Sequence, residues 1–249
     1  MTASPRPFAG KGAIVTGGAA GIGAAIARQL AQEGACVLIA DVDGGAAAAL
    51  VAELVGAGGS AHARTCDVGD EAQVIACFDE LAERHGRIDV VVNNAGTMAF
   101  AALAQCTVRD WQETLRVDLI GAALFSKHAL ARMPRGGAIV NVASIHALAT
   151  TVAVAPYAAA KAGLVSLTRS TAIEGRPLGI RANAVLPGAI ETAMLRRNPN
   201  LASGAETLAP GDVGRPEDVA EAVAFLAGER ARFVNGATLV VDGGRMAAL

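Results

Sequence analysis

A tyrosine and a lysine four residues apart are the side chains of this sequence best placed to move a proton. Tyr157 is the only tyrosine of the chain, and Lys161 follows it in an Ala-rich segment after Pro156. In a helix, residues at positions i and i+4 lie on one face. An ammonium beside a phenol stabilises the phenolate and lowers the phenol pKa, so Tyr157 could act as a general acid or base. Ser144, which ends the preceding apolar run, could bind the same substrate oxygen.

A glycine-rich segment near the start of the chain is suited to holding a pyrophosphate. Residues 16–23 read TGGAAGIG and lie between a short apolar run and a helical pattern of apolar residues over 21–33. Glycines at such a strand-to-helix turn let backbone N–H groups approach a phosphate at the helix N-terminus. A purely structural turn is the alternative. We expect cofactor contacts from Gly17, Gly21, Ile22 and Gly23.

An acidic residue at the end of the second apolar run bears on the choice of cofactor. Asp41 comes 18 residues after Gly23, where a carboxylate can accept hydrogen bonds from an adenosine ribose. No Lys or Arg occurs between Gly17 and Gly23 or just after Asp41 to neutralise a 2′-phosphate. The sequence therefore predicts NAD rather than NADP. The alternative is that Asp41 is the N-cap of the next helix.

Apolar runs alternate with helical patterns along the whole chain. Continuous Val, Ile and Leu runs are typical of parallel strands buried on both faces, and their alternation with helices indicates a doubly wound α/β sheet. We expect one domain over 1–249 with a mobile lid over 189–214, where Pro and Gly are frequent. Helices are expected over 108–131 and from Tyr157. The expected strands are 12–16, 36–40, 61–66, 88–92, 138–142, 180–185 and 238–242.

Further polar and glycine residues follow the third and fourth strands. The carboxyl ends of parallel strands meet at one edge of the sheet, where open α/β sheets bind ligands. Each of these segments alone could be ordinary turn chemistry. At the same edge as the glycine turn, they are expected to line one long cleft. The residues are Asp67, Val68, Asn94, Ala95 and Gly96.

Composition excludes several classes of function. The net charge is −2, so no basic field is present to hold nucleic acid or an anionic membrane surface. No run of 18 apolar residues and no apolar export segment occurs, which predicts a cytoplasmic protein. The four cysteines are scattered and are expected to be reduced and buried. The histidines lack neighbours at ligand spacing, so we expect no metal site.

In order and spacing, these motifs resemble the classical short-chain dehydrogenase/reductase family over nearly the whole chain. The resemblance implies a Rossmann-like seven-stranded parallel sheet with strand order 3-2-1-4-5-6-7, and a homotetramer. It implies that Ser144 polarises the substrate oxygen, that Tyr157 exchanges its proton, and that Lys161 lowers the Tyr157 pKa and binds the nicotinamide ribose. The segments that carry the resemblance are TGGAAGIG at 16–23, Asp67, NNAG at 93–96, Ser144, YAAAK at 157–161, NAVLPGAIET at 183–192, GRPED at 214–218 and VDGG at 241–244.

The resemblance also assigns the wall beside the nicotinamide. It implies contacts from Asn94, Ile190 and Thr192, with Pro187 and Gly188 shaping the backbone there.

One position departs from the family pattern. The family usually has an Asn seven residues after the Trp of the long helix, where it anchors a water in the proton relay to the lysine. Counting from Trp111, this chain has Asp118. A carboxylate can accept the hydrogen bond of that water but cannot donate one, and its charge should keep Lys161 protonated. We expect an active enzyme with a changed pH profile.

The leading functional hypothesis is NAD-dependent interconversion of a secondary alcohol and a ketone, with a small-molecule substrate. One alternative is a 3-oxoacyl-thioester reductase, although the NADPH preference usual for such enzymes conflicts with Asp41. An alternative from another class is an NAD-binding sensor or scaffold without turnover, which only Asp118 supports. Because aromatic residues make up only 3% of the chain, a bulky aliphatic or alicyclic alcohol is favoured over a stacked aromatic one.

Loops after the strands are expected to build the substrate pocket. Its apolar wall is expected to include Met98, Leu148, Val152 and Met194. His146 either faces the substrate pocket or is an ordinary loop residue, and the second alternative is favoured because a lone histidine is usually one. Arg196 and Arg197, on the expected lid, either meet an acidic substrate or are simply solvated, and the second alternative is favoured.

Overall fold

Seven parallel strands form the central sheet of the computed structural model, which describes residues 6–133, 136–209 and 211–248. A separate pair of short strands, β7 and β8, lies in the segment 189–214. In chain order the strands are β1 (Gly12–Thr16), β2 (Cys36–Asp41), β3 (Ser60–Thr65), β4 (Val90–Asn93), β5 (Ala138–Val142), β6 (Arg181–Pro187), β7 (Ala189–Ile190), β8 (Val213–Gly214) and β9 (Thr238–Val241).

The order of strands in the large sheet is β3-β2-β1-β4-β5-β6-β9. Since β9 is the seventh strand of that sheet along the chain, the expected order 3-2-1-4-5-6-7 is confirmed. Every pairing in the sheet is parallel. The connection from β3 back to β4 passes to the other side of β1, and this reversal opens a crevice at the carboxyl ends of β1 and β4.

Helices cover both faces of the sheet. In chain order they are α1 (Gly21–Gln32), α2 (Gly44–Gly56), α3 (Glu71–His85), α4 (Val108–Leu115), α5 (Gly121–Arg132), α6 (Ala155–Gly175), α7 (Ala193–Arg196), α8 (Pro199–Ser203) and α9 (Pro216–Ala227). Among the described residues, every helix is too short or too polar to span a lipid bilayer.

Alternate residues of the central strands enter two separate cores. In β1, Val15 packs into the core beneath α1 and α9, whereas its neighbour Ile14 packs into the core beneath α3 and α5. The side chains of a strand point alternately to opposite faces. Both residues are fully buried, and burying such a side chain contributes about 1.5–3 kcal/mol. This is why the strands read as unbroken apolar runs in the sequence.

The long helix expected over 108–131 is interrupted in the structure. The segments α4 and α5 are joined by a π-helical turn, Arg116–Ile120. Such a turn accommodates one extra residue and is frequent at functional sites. Asp118 lies in this turn with its side chain buried, and the turn therefore places a carboxylate inside the protein rather than on the helix surface.

Three other boundaries differ from expectation by two residues each. Strand β4 begins at Val90 rather than at 88. Helix α6 begins at Ala155 rather than at Tyr157, because Pro156 is well accommodated in the first turn of a helix. Strand β6 continues to Pro187 instead of ending at 185, since it pairs with β9 up to Val241. The extension carries the strand to the edge of the cleft.

The segment 189–214 folds into short elements rather than one loop. It contains β7, α7, α8 and β8, while Pro210 lies outside the described residues. Its role as a mobile lid, and the single-domain assignment, stay predictions.

Candidate active site

A cavity of about 650 Å³ lies at the carboxyl edge of the sheet. Residues at or just after the ends of six strands line it, so distant parts of the sequence meet there. All of the expected site residues line this cavity except Gly23 and Asp118. Those lining it are Gly17, Gly21, Ile22, Asp41, Asp67, Val68, Asn94, Ala95, Gly96, Ser144, Tyr157, Lys161, Pro187, Gly188, Ile190 and Thr192.

The glycine turn between β1 and α1 has no room for side chains. A Cβ on Gly17 would lie 2.8 Å from the Ala95 Cα, and one on Gly23 would lie 2.0 Å from the Gly17 carbonyl oxygen. Gly17 and Gly21 also have left-handed φ values of +58° and +52°, which glycine adopts without a steric penalty. Gly23 therefore acts by allowing α1 to pack closely against the turn, although it does not line the cavity.

The N-terminus of α1 is left available for an anion. Its N-cap, Ala20, has no side chain that could accept from the first backbone N–H groups, and the first turn of α1 contains no acidic residue. The first N–H groups of a helix lack partners within it and attract negative charge. The turn and the helix end thus fit a pyrophosphate.

Asp41 is held at the cavity wall by two backbone groups. The Ala19 N–H donates to its Oδ2 at 2.9 Å, and the Asp43 N–H donates to its Oδ1 at 3.0 Å. The N-cap of α2 is Asp43, which accepts from the Ala46 N–H at 2.9 Å. The alternative that Asp41 caps this helix is therefore wrong, and its carboxylate stays beside the space for the ribose.

Asn94 connects the ends of β1 and β4. Its side-chain Nδ2 donates to the Gly17 carbonyl at 2.9 Å and to the Thr16 carbonyl at 3.1 Å. The Thr16 hydroxyl oxygen in turn accepts from the backbone N–H groups of Asn94 and Ala95, at 3.0 and 3.1 Å. These bonds hold the crevice between the two strands open in one geometry.

Arg116 is a lining residue that the sequence arguments missed. Its Nη1 lies 2.7 Å from Asp67 Oδ1, and its Nη2 lies 2.8 Å from Glu113 Oε1. Both neighbouring carboxylates thereby neutralise this guanidinium. It is not a free cation for a 2′-phosphate, although it lines the same cavity.

Ser144, Tyr157 and Lys161 meet at the middle of the cavity. Lys161 Nζ lies 5.4 Å from the centroid of the Tyr157 ring and donates to the Val142 carbonyl at 3.1 Å. The Ser144 oxygen accepts from the His146 N–H at 3.2 Å. Helix α6 therefore presents the phenol and the ammonium on one face, as the four-residue spacing predicts, with the serine hydroxyl nearby from the end of β5.

The pKa of Tyr157 is raised in this structure. Burial is the largest cause, and the Asp118 carboxylate raises it as well, whereas the Lys161 ammonium and a hydrogen bond with Ser144 lower it. The lowering effect expected from Lys161 is thus present but is outweighed by burial. A phenol with a raised pKa is protonated at neutral pH and is suited to donate a proton.

Asp118 lies behind Lys161 and does not line the cavity. Its Oδ1 is 3.1 Å from Lys161 Nζ, and its Oδ2 accepts from the Thr97 N–H at 2.8 Å. Burial alone would lower the Lys161 pKa, but Asp118 and Tyr157 together raise it. The direction is the one expected from a carboxylate at this position. Asp118 therefore acts on the site through Lys161.

The loops after β4, β5 and β7 and the turn after β9 build a part of the cavity wall that is called the substrate end below. Of the expected apolar wall, Met98 and Met194 line it, whereas Leu148 and Val152 are exposed to solvent. The substrate end consists of Met98, Phe100, Ile145, His146, Met194, Leu195, Arg197, Asn198, Glu206 and Arg245.

His146 faces the substrate end rather than serving as an ordinary loop residue. Its ring is edge-on to the Tyr157 ring, with centroids 5.9 Å apart, and its Nδ1 lies 3.2 Å from the Thr150 hydroxyl oxygen. The expectation for His146 was based on its isolation in the sequence. The turn after β5 instead places it beside the reacting group.

Glu206 and Arg245 were not anticipated. They lie 39 positions apart and form an ion pair at 2.8 Å. No spacing signal links residues so distant, and neither belongs to a periodic element. Their meeting depends on how the segment 189–214 packs against the C-terminal turn.

Comparison with known proteins agrees with this geometry. A family model described as enoyl-(acyl carrier protein) reductase matches residues 17–245. Cis-4-hydroxycyclohexanecarboxylate dehydrogenase from Sinomonas cyclohexanicum is 46% identical over 95% of this chain and 97% of its own length. D-threitol dehydrogenase from Mycolicibacterium smegmatis is 38% identical over 94% of this chain and 92% of its own.

A solved structure is similarly close. The short-chain dehydrogenase from Burkholderia cenocepacia J2315 in complex with NADP superposes with a TM-score of 0.89 at 36% identity, covering 95% of this chain and 98% of that one. Family members bind a nicotinamide cofactor, and the glycine turn and cavity described above fit one.

The relatives span almost the full chain and carry out oxidation or reduction at a carbon bearing oxygen. Because the relatives match in sequence along almost the whole chain, the likeness extends beyond the sheet topology. It also argues against the alternative that this chain is an NAD-binding sensor without turnover. From the cavity, the Ser144, Tyr157 and Lys161 cluster and these relatives, the chain belongs to the short-chain dehydrogenase/reductase family and is an oxidoreductase of alcohols and ketones.

Proposed function

We propose that this enzyme uses NAD⁺ to oxidise a secondary alcohol on an aliphatic or alicyclic skeleton, and reduces the corresponding ketone in reverse. The observation that carries the proposal is the convergence of Ser144, Tyr157 and Lys161 on one cavity wall. A phenol, a hydroxyl and an ammonium around one point can hold a substrate oxygen and move its proton.

The proposed chemistry divides between the cofactor and the chain. When bound, the nicotinamide ring supplies the hydride acceptor for oxidation or the hydride donor for reduction. In oxidation, the Ser144 hydroxyl hydrogen-bonds the substrate oxygen and the Tyr157 phenolate takes the hydroxyl proton. The Lys161 ammonium stabilises that phenolate through its charge. Because one hydride and one proton leave the alcohol, the product is a neutral ketone.

The preference for NAD over NADP rests on Asp41. Its carboxylate stands where the adenosine ribose is expected, and the negative charge of this carboxylate would repel the 2′-phosphate of NADP. Arg116, the nearby lining cation, is already paired with Asp67 and Glu113. The Burkholderia structure is a complex with NADP, so the proposed preference for NAD is based on Asp41 of this chain and not on that relative.

A screen of alcohols tests the proposal directly. Purified enzyme with NAD⁺ and a panel of aliphatic and alicyclic secondary alcohols should raise nicotinamide absorbance, and Tyr157→Phe should not. If Tyr157→Phe oxidised the alcohols as fast as wild type, the role of Tyr157 would be refuted. If wild type were active with NADP⁺ but not with NAD⁺, the role of Asp41 would be refuted.

A second candidate is reduction of a 3-oxoacyl thioester. A relative favours it: the 3-oxoacyl-[acyl-carrier-protein] reductase from Thermotoga maritima is 36% identical over 94% of this chain. The rates at which the enzyme reduces an acetoacetyl thioester with NADPH and with NADH would separate the two candidate functions. Rapid turnover of the thioester with NADPH, without turnover of simple alcohols, would replace our first proposal.

The assembly is proposed to be a homotetramer built on the long helices and the last strand. Exposed apolar side chains support this, because large apolar groups on a surface often mark subunit contacts. Val108 begins α4, Ile173 lies on α6, and Phe233, which precedes β9, is fully exposed. Sedimentation velocity measures the number of subunits. We also propose that the enzyme is cytoplasmic and that the segment 189–214 closes over bound substrate.

A further inference from the structure

The substrate end carries a charged group that the proposed proton transfer does not use. Arg245, from the C-terminal turn, donates from Nη2 to Glu206 Oε1 at 2.8 Å, and Asn198 Nδ2 donates to Glu206 Oε2 at 2.9 Å. The side chain of Glu206 is only 5% exposed and that of Arg245 only 17%. Both line the cavity.

This group lies next to the reacting side chains. His146, whose ring is edge-on to Tyr157, has its pKa lowered mainly by burial and further by the Arg245 charge, while Glu206 raises it. His146, Glu206 and Arg245 line the same cavity as Tyr157. A substrate that fills this cavity with its hydroxyl at Tyr157 therefore has Arg245 on its wall.

Arg245 has hydrogen-bond donors to spare. A guanidinium carries five N–H groups in a planar fork that suits a carboxylate. Within the described part of the chain, the only side-chain bond of Arg245 is the one to Glu206. Glu206 uses both of its oxygens, one on Arg245 and one on Asn198, so it orients the guanidinium without covering its other N–H groups.

The balance of charge at the substrate end is positive. Arg197 also lines it, and among the described residues no carboxylate lies within ion-pairing distance of Arg197; its Nε donates to the Ala193 carbonyl at 3.1 Å. Arg197 is exposed, so its guanidinium adds a second positive charge to the cavity wall that Glu206 and Arg245 also line. Elsewhere in the cavity the cations are balanced, since Arg116 pairs with Asp67 and Lys161 with Asp118.

We propose that the substrate is a hydroxy acid, with its carboxylate bound by Arg245 and Arg197 and its carbon skeleton against Met98 and Met194. This inference rests on the proposed function and adds the chemical class of the substrate. For Arg197, it takes up the alternative of an acidic substrate. Neutral polyols would leave the excess positive charge without a partner.

A competing explanation is that Arg245 and Glu206 only tie the segment 189–214 to the C-terminal turn. The two explanations differ in the effect of Glu206→Gln. If the pair is a structural tie, Arg245→Gln and Glu206→Gln should have the same effect. If Arg245 binds a carboxylate, removing the charge of Glu206 should not weaken recognition of an acid, because the site becomes more positive.

The test compares an acid with its ester. We would measure kcat/KM for cis-4-hydroxycyclohexanecarboxylate and for its methyl ester with NAD⁺. A hydrogen bond to a charged group is worth about 1.5–3 kcal/mol, so we expect wild type to prefer the acid by about tenfold or more. Arg245→Gln should lose most of that preference through KM, and Arg197→Gln should lose part of it. Arg196→Gln, a neighbouring surface arginine paired with Glu191, should retain it.

A binding measurement keeps the inference testable without turnover. With NAD⁺ present, cyclohexanecarboxylate should raise the melting temperature of wild type and of Glu206→Gln, but not of Arg245→Gln, and methyl cyclohexanecarboxylate should raise none. No oxidation of any alcohol would refute the proposed function alone. Two results would overturn the hydroxy-acid inference and leave the proposed function standing. One is an equal kcat/KM of wild type for the acid and the ester, and the other is an equal loss of the preference for the acid in Arg245→Gln and Glu206→Gln.

Discussion

Lys161 Nζ lies 3.1 Å from Asp118 Oδ1, and both side chains are almost completely buried. A buried ammonium and a buried carboxylate each lose hydration, so either one alone would be strongly destabilising. The Asp118 and Tyr157 charges raise the Lys161 pKa, whereas burial raises the Asp118 pKa although Lys161 and the Thr97 N–H lower it. We expect Asp118 to be a positioning residue for Lys161 and Tyr157.

Replacing Asp118 by asparagine should move the pH profile. The Asp118 charge raises the pKa of both Tyr157 and Lys161, so its removal should lower both. Alcohol oxidation needs the phenolate, and its rise in kcat/KM with pH should therefore begin at lower pH in Asp118→Asn. The measurement is a pH series of kcat/KM beside Asp79→Asn, a surface carboxylate paired with Arg132. Superimposable curves for wild type and Asp118→Asn would dismiss a special role for this carboxylate.

Removing the phenolic hydroxyl should abolish most turnover and leave cofactor binding in place. Loss of a positioned general acid or base lowers a rate by about 10²-fold to 10⁴-fold. We expect a fall in kcat of that order for Tyr157→Phe, while NADH fluorescence titrations give an unchanged Kd. A Tyr157→Phe enzyme as fast as wild type would contradict the mechanism.

Neutralising Asp41 should weaken the preference for NAD. In Asp41→Asn the negative charge that repels a 2′-phosphate is gone, so the ratio of kcat/KM for NAD⁺ over NADP⁺ should fall by about tenfold or more. The matched control is Asp43→Asn, because Asp43 caps α2 two residues away. That control should leave the cofactor ratio as in wild type. A strong preference of wild type for NADP⁺ would show that Asp41 does not select the cofactor.

Adding one methyl group at Gly96 should disturb the buried pair. A Cβ there would lie 2.9 Å from Asp118 Oδ1 and 3.3 Å from Lys161 Nζ. Overpacking a tight interior costs about 1–3 kcal/mol, and we expect Gly96→Ala to lose stability of this order along with activity. Urea unfolding gives the free energy and steady-state assays give the rate.

A glycine with free space around it serves as the control for that substitution. Gly56 ends α2, and a Cβ there would meet nothing within 4 Å. Gly56→Ala should keep wild-type activity and stability or gain a little, because alanine loses less entropy than glycine on folding. Equal behaviour of the two variants would mean that the space at Gly96 is not needed.

The strands and the spacing of the catalytic cluster could be predicted from the sequence because both depend on local patterns, whereas the order of the strands was implied by the family resemblance. Strand β4 (Val90–Asn93) overlaps the strand expected at 88–92, and the i,i+4 spacing of Tyr157 and Lys161 holds within α6. The roles of these residues, by contrast, were borrowed from a family resemblance and stay predictions until the variants above are measured.

Other features could not be predicted from the sequence because they depend on residues that are distant in the chain and close in space. The π-helical turn that buries Asp118 leaves no mark in the apolar pattern of 108–131. The N-cap of α2 falls on Asp43 and not on Asp41, a difference of two residues that only backbone geometry decides. Leu148 and Val152 are exposed to solvent, although their apolar side chains suggested that they line the pocket.

The sequence by itself determined the sheet, the glycine turn and the spacing of Tyr157 and Lys161, because short-range periodicity and backbone sterics govern them. Only the tertiary structure decided the net pKa shift of Tyr157 and the meeting of Arg245 with Glu206. Burial and electrostatic interactions depend on distances through space, and these are set when segments far apart in the chain pack together.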